Sequence, residues 1–333
     1  MYLENRVATS RFVPIRNLHY HLLQWRVTDS TSPSPLSSPV PLVLLHGWMV
    51  VGASWQFMVD AFDSEFLRDR PVIALDWRGF GLTGPLGIPA LDALDARGAG
   101  TPNDSFWFAD YLADLDFLLD FVAAEFGSAQ VDLIGHSMGG NIAMLYAGIR
   151  PNRIRRLINL EGFGLKAGQP EEAPGRYAAW MDGLKKLHQG DMALQSYPSV
   201  NAVARRLMKT NPRLSQDKAD WLAHRWARQD ATTGQWYVQG HAAHKISGAL
   251  VYRLEEILAI YRCISAPVLS VQASDDSLAF WWKGSYTLAD YFERLALVPQ
   301  AQTATLPDTG HMLHHDQPQA LAQLVASFLM PKA

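Results

Sequence analysis

A serine sits between paired glycines in Gly135-His136-Ser137-Met138-Gly139, after the apolar run 131–134 and before a helical pattern over 141–150. That order predicts a sharp strand-to-helix turn with a strained backbone at the serine. Glycines suit the flanking positions, because a Cβ two residues before or after would strike neighbouring backbone. The turn sets the Ser137 hydroxyl at a helix N-terminus, where N–H groups and the dipole favour developing negative charge. A serine of this kind is a nucleophile only when a base takes its proton. The expected base is His311, in a Gly310-His311 step within a loop that leads into the closing helical pattern 321–328. The oxyanion formed by its attack needs two fixed N–H donors. Met138 supplies one directly after the serine. Trp48 supplies the other from His46-Gly47-Trp48-Met49, which follows the apolar run 40–45.

Two places offer the carboxylate that would orient the imidazole and stabilise its cation. Asp276 lies in Ala273-Ser274-Asp275-Asp276-Ser277 after a strand-like run, and Glu161 closes another such run. Asp276 is preferred, Glu161 is the alternative, and Asp275 ranks behind both. His314 and His315 resemble a metal cluster with His311, yet no partner cysteine or H-E-x-x-H accompanies them. They read as solvated imidazoles at a helix-entry turn, so neither a metal nor a cofactor is expected. Arg78, in Asp76-Trp77-Arg78-Gly79-Phe80-Gly81, reads as a loop-holding residue paired with a carboxylate or carbonyl oxygens, not as an anion clamp.

These residues need a scaffold. Residues 11–26 alternate loosely about Arg16-Asn17 and predict an antiparallel hairpin. Short apolar runs at 40–45, 72–75, 131–134, 156–160 and 268–272 predict strands, separated by helical patterns such as 106–126. Strands alternating with helices imply right-handed crossovers and a mostly parallel sheet covered on both faces. Residues 28–41, rich in Ser and Pro, read as an exposed loop, and 84–104 as a long excursion loop near the strand ends. Residues 165–262 carry a helical pattern with no convincing strand, including Tyr177, Trp180, Trp221, Trp226, Trp236 and Tyr237. Such a block is expected to form a lid over the crevice at the carboxyl ends of the strands. The Lys and Arg residues along 204–228 read as its solvated helix face.

Composition narrows the classes. The chain has 333 residues, 48% hydrophobic and 18% charged, as expected of a folded globular protein. Twenty-nine basic against 32 acidic residues give a net charge of −3, without the basic footprint of a nucleic-acid binder. Cys263 is the one cysteine, which excludes an intrachain disulfide. No signal-peptide core is found in the first eleven residues, and no apolar run approaches the ~18 residues of a membrane span. A cytoplasmic location without membrane or nucleic-acid partners is expected; the oligomeric state is left open.

The succession HGWMVVGASW (46–55), DWRGFGLTG (76–84), GHSMGG (135–140), ASDD (273–276) and GHMLHHDQP (310–318) resembles the α/β-hydrolase superfamily, and within it the lidded serine esterases and lipases. The resemblance implies an α/β fold with an eight-stranded, mostly parallel sheet, helices on both faces, and a helical cap between strands six and seven. It divides the chain into a core (1–164 and 263–333) and a cap (165–262). It also implies the order serine, acid, histidine, which Ser137, Asp276 and His311 obey. Members commonly have Gly where Ala273 stands, and some carry the acid after strand six, where Glu161 stands. Haloalkane dehalogenases and epoxide hydrolases of the superfamily use an aspartate nucleophile, against which Ser137 argues. The expected activity is hydrolysis of a small to medium apolar ester. Lactone, amide or diketone hydrolysis and cofactor-free perhydrolysis at the same site are alternatives, as is a non-catalytic binding protein.

Overall fold

A computed structural model describes residues 2–26, 40–86 and 104–330. The expected hairpin is β1 (Thr9–Ile15) against β2 (Leu18–Trp25), paired from Thr9–Gln24 to Ile15–Leu18, with Arg16 at φ 53° in the two-residue turn. Then come β3 (Leu42–Leu45), α1 (Gln56–Ala61), α2 (Ser64–Leu67), β4 (Val72–Leu75) and a two-residue strand β5 (Gly84–Pro85). They are followed by α3 (Phe108–Phe126), β6 (Val131–His136), α4 (Met138–Ile149) and β7 (Ile154–Leu160). The apolar spacing of α3 buries Tyr111, Leu115, Leu118, Leu119 and Val122 on one face, and Gly127 ends the helix at φ 66°.

Between β7 and the next strand of the large sheet lies an insertion. It holds α5 (Ala173–His188), β8 (Ser196–Tyr197), α6 (Val200–Thr210), α7 (Gln216–Trp226), β9 (Ala227–Gln229), β10 (Trp236–Val238) and α8 (Leu254–Arg262). The chain then completes the sheet with β11 (Val268–Ala273) and β12 (Ala301–Leu306), flanked by α9 (Ser277–Trp282), α10 (Leu288–Leu295), α11 (Leu313–Asp316) and α12 (Pro318–Leu329).

The strand order is β1-β2-β4-β3-β6-β7-β11-β12, with β5 paired to β2. All contacts from β4 through β12 along that order are parallel, and β2 joins them antiparallel. Strands β3, β4 and β6 are buried along their whole length; β3 and β4 are accordingly continuous apolar runs without alternation, whereas β6 carries a buried Asp132 paired with Arg70 and Arg155. One face of the sheet packs on α3, α4, α8 and α10, and the other on α1, α2 and α12. This is an α/β-hydrolase fold, with its helices on both sides of a mostly parallel sheet.

The structure adds to or departs from the expectations at three places. Residues 165–262 do contain strands: β8, β10 and β9 form a small antiparallel sheet, and Trp236 and Tyr237 lie on it, not on a helix. Runs of two or three residues are too short to show a period. The end of that block, α8, packs on α4, where a Cβ on Gly148 would come within 2.2 Å of the Ile260 carbonyl oxygen. The polar strand β12 was not foreseen from its residues, because as an edge strand only its Leu306 is buried. Most of the two expected loops, 28–39 and 87–103, lies outside the described residues, whereas Gly84–Pro85 pairs with β2.

Arg78 does hold its loop. Its Nε and Nη2 donate to the two oxygens of Asp114 at 2.6 and 2.8 Å, and Tyr20 also bonds that carboxylate. Both charges are buried. Replacing Asp114 by alanine is expected to cost about 3–5 kcal/mol in urea unfolding, because a buried guanidinium loses its partner. A change below about 1 kcal/mol would mean that water compensates the charge. Among the described residues no helix is long and apolar enough to cross a membrane.

Candidate active site

The strand β6 delivers Ser137 to the sheet's carboxyl edge and α4 begins one residue later. Ser137 takes φ 53° and ψ −115°, a conformation that L-residues rarely adopt, and its N–H donates to the Leu160 carbonyl at 2.8 Å. The flanking glycines are sterically required. A Cβ on Gly135 would lie 2.3 Å from the Gly139 carbonyl oxygen, and one on Gly139 would lie 2.3 Å from that of Leu45. Ser137 itself is half-buried.

The turn after β3 comes up against this elbow. A Cβ on Gly47 would lie 2.9 Å from His136 Nδ1 and 3.2 Å from Ser137 Cβ. His46 fixes the turn: its Nε2 accepts from the Trp77 N–H at 2.9 Å and its Nδ1–H donates to the Gly47 carbonyl at 2.7 Å. Burial lowers the His46 imidazole to about 4, so it stays neutral in this role. Trp48 follows with a half-exposed side chain, and Met138 opens α4 beside the serine.

His311 stands in the loop after β12. Its Nδ1–H donates to Glu161 Oε2 at 3.2 Å, which leaves Nε2 as the acceptor. Glu161 ends β7 at φ 55° and its other oxygen accepts from the Ala273 N–H at 2.7 Å. Burial raises the Glu161 carboxyl to about 7, opposed by the Ser277 and Ala273 hydrogen bonds. Burial lowers the His311 imidazole to about 4.

Asp276 has a different occupation. Its side chain is the N-cap of α9, accepting from the Ala279 N–H at 2.9 Å, and the residue is exposed. Asp275 pairs with Arg213 at 2.8 Å on the surface. Of the three carboxylates considered, Glu161 is the one that meets His311, against the preference for Asp276. The start of α9 takes the Asp276 carboxylate for its cap, whereas Glu161 bonds the imidazole.

His314 and His315 are buried rather than solvated, with both Nε2 atoms on Ser54 Oγ at 2.8 and 2.7 Å. The single hydroxyl proton serves one ring and the oxygen accepts from the other. Among the described residues no group of three or more His, Cys, Asp or Glu is arranged to hold a metal ion. His136, to which the sequence assigned no role, donates Nε2–H to the His311 carbonyl at 2.7 Å. Trp281 of α9 presents its ring edge-on to His311 with centroids 4.4 Å apart, and is 47% exposed.

The α/β-hydrolase fold model matches residues 40–318. The chain belongs to that family. A serine hydrolase-like protein of Danio rerio is 23% identical over 88% of this chain and 82% of its own length. A soluble epoxide hydrolase of a Corynebacterium species is 25% identical over 88% of this chain and 91% of its own. The thioesterase domain from the curacin biosynthetic pathway superposes with a TM-score of 0.73 at 22% identity, covering 96% of this chain and 99% of that one. These relatives make this member of the α/β-hydrolase family a hydrolase.

Proposed function

We propose that the protein is a serine hydrolase of small to medium apolar esters, with Ser137 as nucleophile, His311 as general base and acid, and Glu161 as the orienting carboxylate. The observation that carries this reading is the Glu161–His311 hydrogen bond at 3.2 Å, on a loop that His136 ties by 2.7 Å to the turn holding Ser137 at φ 53°. Ser137 attacks the ester carbonyl as His311 Nε2 takes its proton. The Met138 and Trp48 N–H groups receive the oxyanion. His311 then returns the proton to the departing alkoxide, and water releases the acyl enzyme by the same steps in reverse order. Glu161 stabilises the imidazolium formed in each half-reaction.

The insertion acts as a cap over this site, and the half-exposed Trp48 and Trp281 support an apolar substrate group. Epoxide opening in the superfamily calls for an aspartate where Ser137 stands, so the epoxide hydrolase relative does not extend its reaction to this chain. The reading is tested with a fluorophosphonate, followed by intact mass and peptide mapping. One adduct on Ser137, absent when His311 is replaced by alanine, is expected, and a panel of esters, lactones, amides and diketones then ranks the substrates. No adduct, with short-chain esters also left intact, would overturn it.

A further inference from the structure

The loop that carries His311 is gripped by the insertion. Asp316 Oδ2 accepts from the N–H of Gly310, the residue before His311, at 2.8 Å, while Oδ1 accepts from Asn211 Nδ2 at 2.6 Å. Asn211 is itself locked at the end of α6: its N–H donates to the Leu207 carbonyl at 2.8 Å, and its Oδ1 accepts from the Arg213 N–H at 3.1 Å. Oδ1 is thereby committed as an acceptor, which leaves the amide NH₂ to face Asp316. A second tie comes from α7, where Lys218 Nζ donates to the His315 carbonyl at 3.3 Å.

This part of the insertion is a firm support. Val203, Ala204, Leu207, Leu214, Trp221, Leu222 and Trp226 share one apolar cluster with Val50, Val51, Ala53 and Phe57 of the core, and Met312 packs against it. By contrast, α5 buries only Gly183. The insertion thus has one half fused to the core beside His311 and another half lightly packed.

We propose that Asp316, held by Asn211, is a positioning residue for His311. The proposal rests on the reading of His311 as the general base. A base and a nucleophile delivered by chain segments so far apart in sequence must keep their register to a fraction of an ångström, and displacement by about 1 Å costs on the order of 100-fold in rate. Asp316 fixes the peptide that precedes His311, His136 fixes the carbonyl that follows its Cα, and Glu161 fixes the ring. The insertion therefore sets the geometry of the chemical step as well as covering the substrate.

Asp316→Asn, Asn211→Ala and the double variant are compared on a short-chain ester. Arg213→Ala serves as the control, since it removes the exposed pair with Asp275 and a positive charge near Asp316 but leaves both Asp316 hydrogen bonds in place. Expected are a kcat lower by about 10- to 100-fold, a KM nearly unchanged, and Ser137 labelling by fluorophosphonate slowed in parallel. The double variant should be no worse than the worse single one, because both break the same link. Thermal unfolding of each variant gives the folded fraction at the assay temperature, by which kcat is corrected. Unimpaired kcat in Asp316→Asn and Asn211→Ala, a loss confined to KM, or an equal loss in Arg213→Ala would overturn the proposal. Ser137→Ala, run beside them, separates the two claims. Full activity there would sink the reading of the site, whereas an inactive Ser137→Ala with unimpaired Asp316→Asn would sink the positioning role alone.

Discussion

Replacing Glu161 by glutamine is expected to lower kcat by about 10³- to 10⁴-fold, the scale at which a triad fails when its carboxylate becomes an amide. The amide keeps the shape but carries no charge for the imidazolium, and its NH₂ can hold the ring in the wrong tautomer. Asp276→Asn should stay near wild type, since asparagine caps a helix about as well as aspartate and the Asp276 side chain serves as the cap that accepts from the Ala279 N–H. The reverse ranking would return the role to Asp276.

The pH profile supplies a second readout of the same pair. Burial holds the Glu161 carboxyl up at about 7 and the His311 imidazole down at about 4. In contact at 3.2 Å they share a proton and titrate together. Below neutrality the pair retains that proton, and either the base is occupied or its carboxylate is discharged. Activity is therefore expected to rise with pH through about 7 as the proton leaves. In Glu161→Gln no carboxylate favours the imidazolium, and burial alone sets His311. The acid limb of the residual activity should then move down, towards about 4. A limb that stayed in place would show that the titrating group lies elsewhere.

Removing the proposed nucleophile or the proposed base has the largest expected effect. Ser137→Ala, His311→Ala and their double variant should each lose about 10⁶-fold in kcat, with the double no worse than either single change. Non-additivity is the informative feature, because a serine without its base and a base without its serine do the same work, namely none. Ser137→Ala retains the Cβ that the turn at φ 53° already tolerates, so its unfolding midpoint should match wild type. Independent losses that multiplied in the double variant would mean that the two residues act in separate steps or separate sites. Appreciable turnover in Ser137→Ala would remove the acyl-enzyme route altogether.

The local sequence determined which residue stands at the sharp turn. Gly135, Gly139 and the apolar run before them leave one backbone path, and a serine on it is presented whatever the rest of the chain does. The same holds for the buried strands β3 and β4, whose unbroken apolar runs have nowhere to go but a sheet covered on both faces. The place of His311 was legible from its Gly-His step in a loop that leads into the closing helix.

Tertiary structure decided the remainder. Glu161 and Asp276 both follow strand ends, and β7 and β11 are neighbours in the sheet, so chain position alone leaves either within reach. The choice turns on a positive φ at Glu161 that directs its side chain across β11, and on α9 taking Asp276 for its cap. His314 and His315 look like surface imidazoles until Ser54, some 260 residues away, is found between them. Asn211 and Asp316 are likewise 105 residues apart. Contacts of that range leave no period or motif in the chain, because they depend on which faces of distant elements pack together.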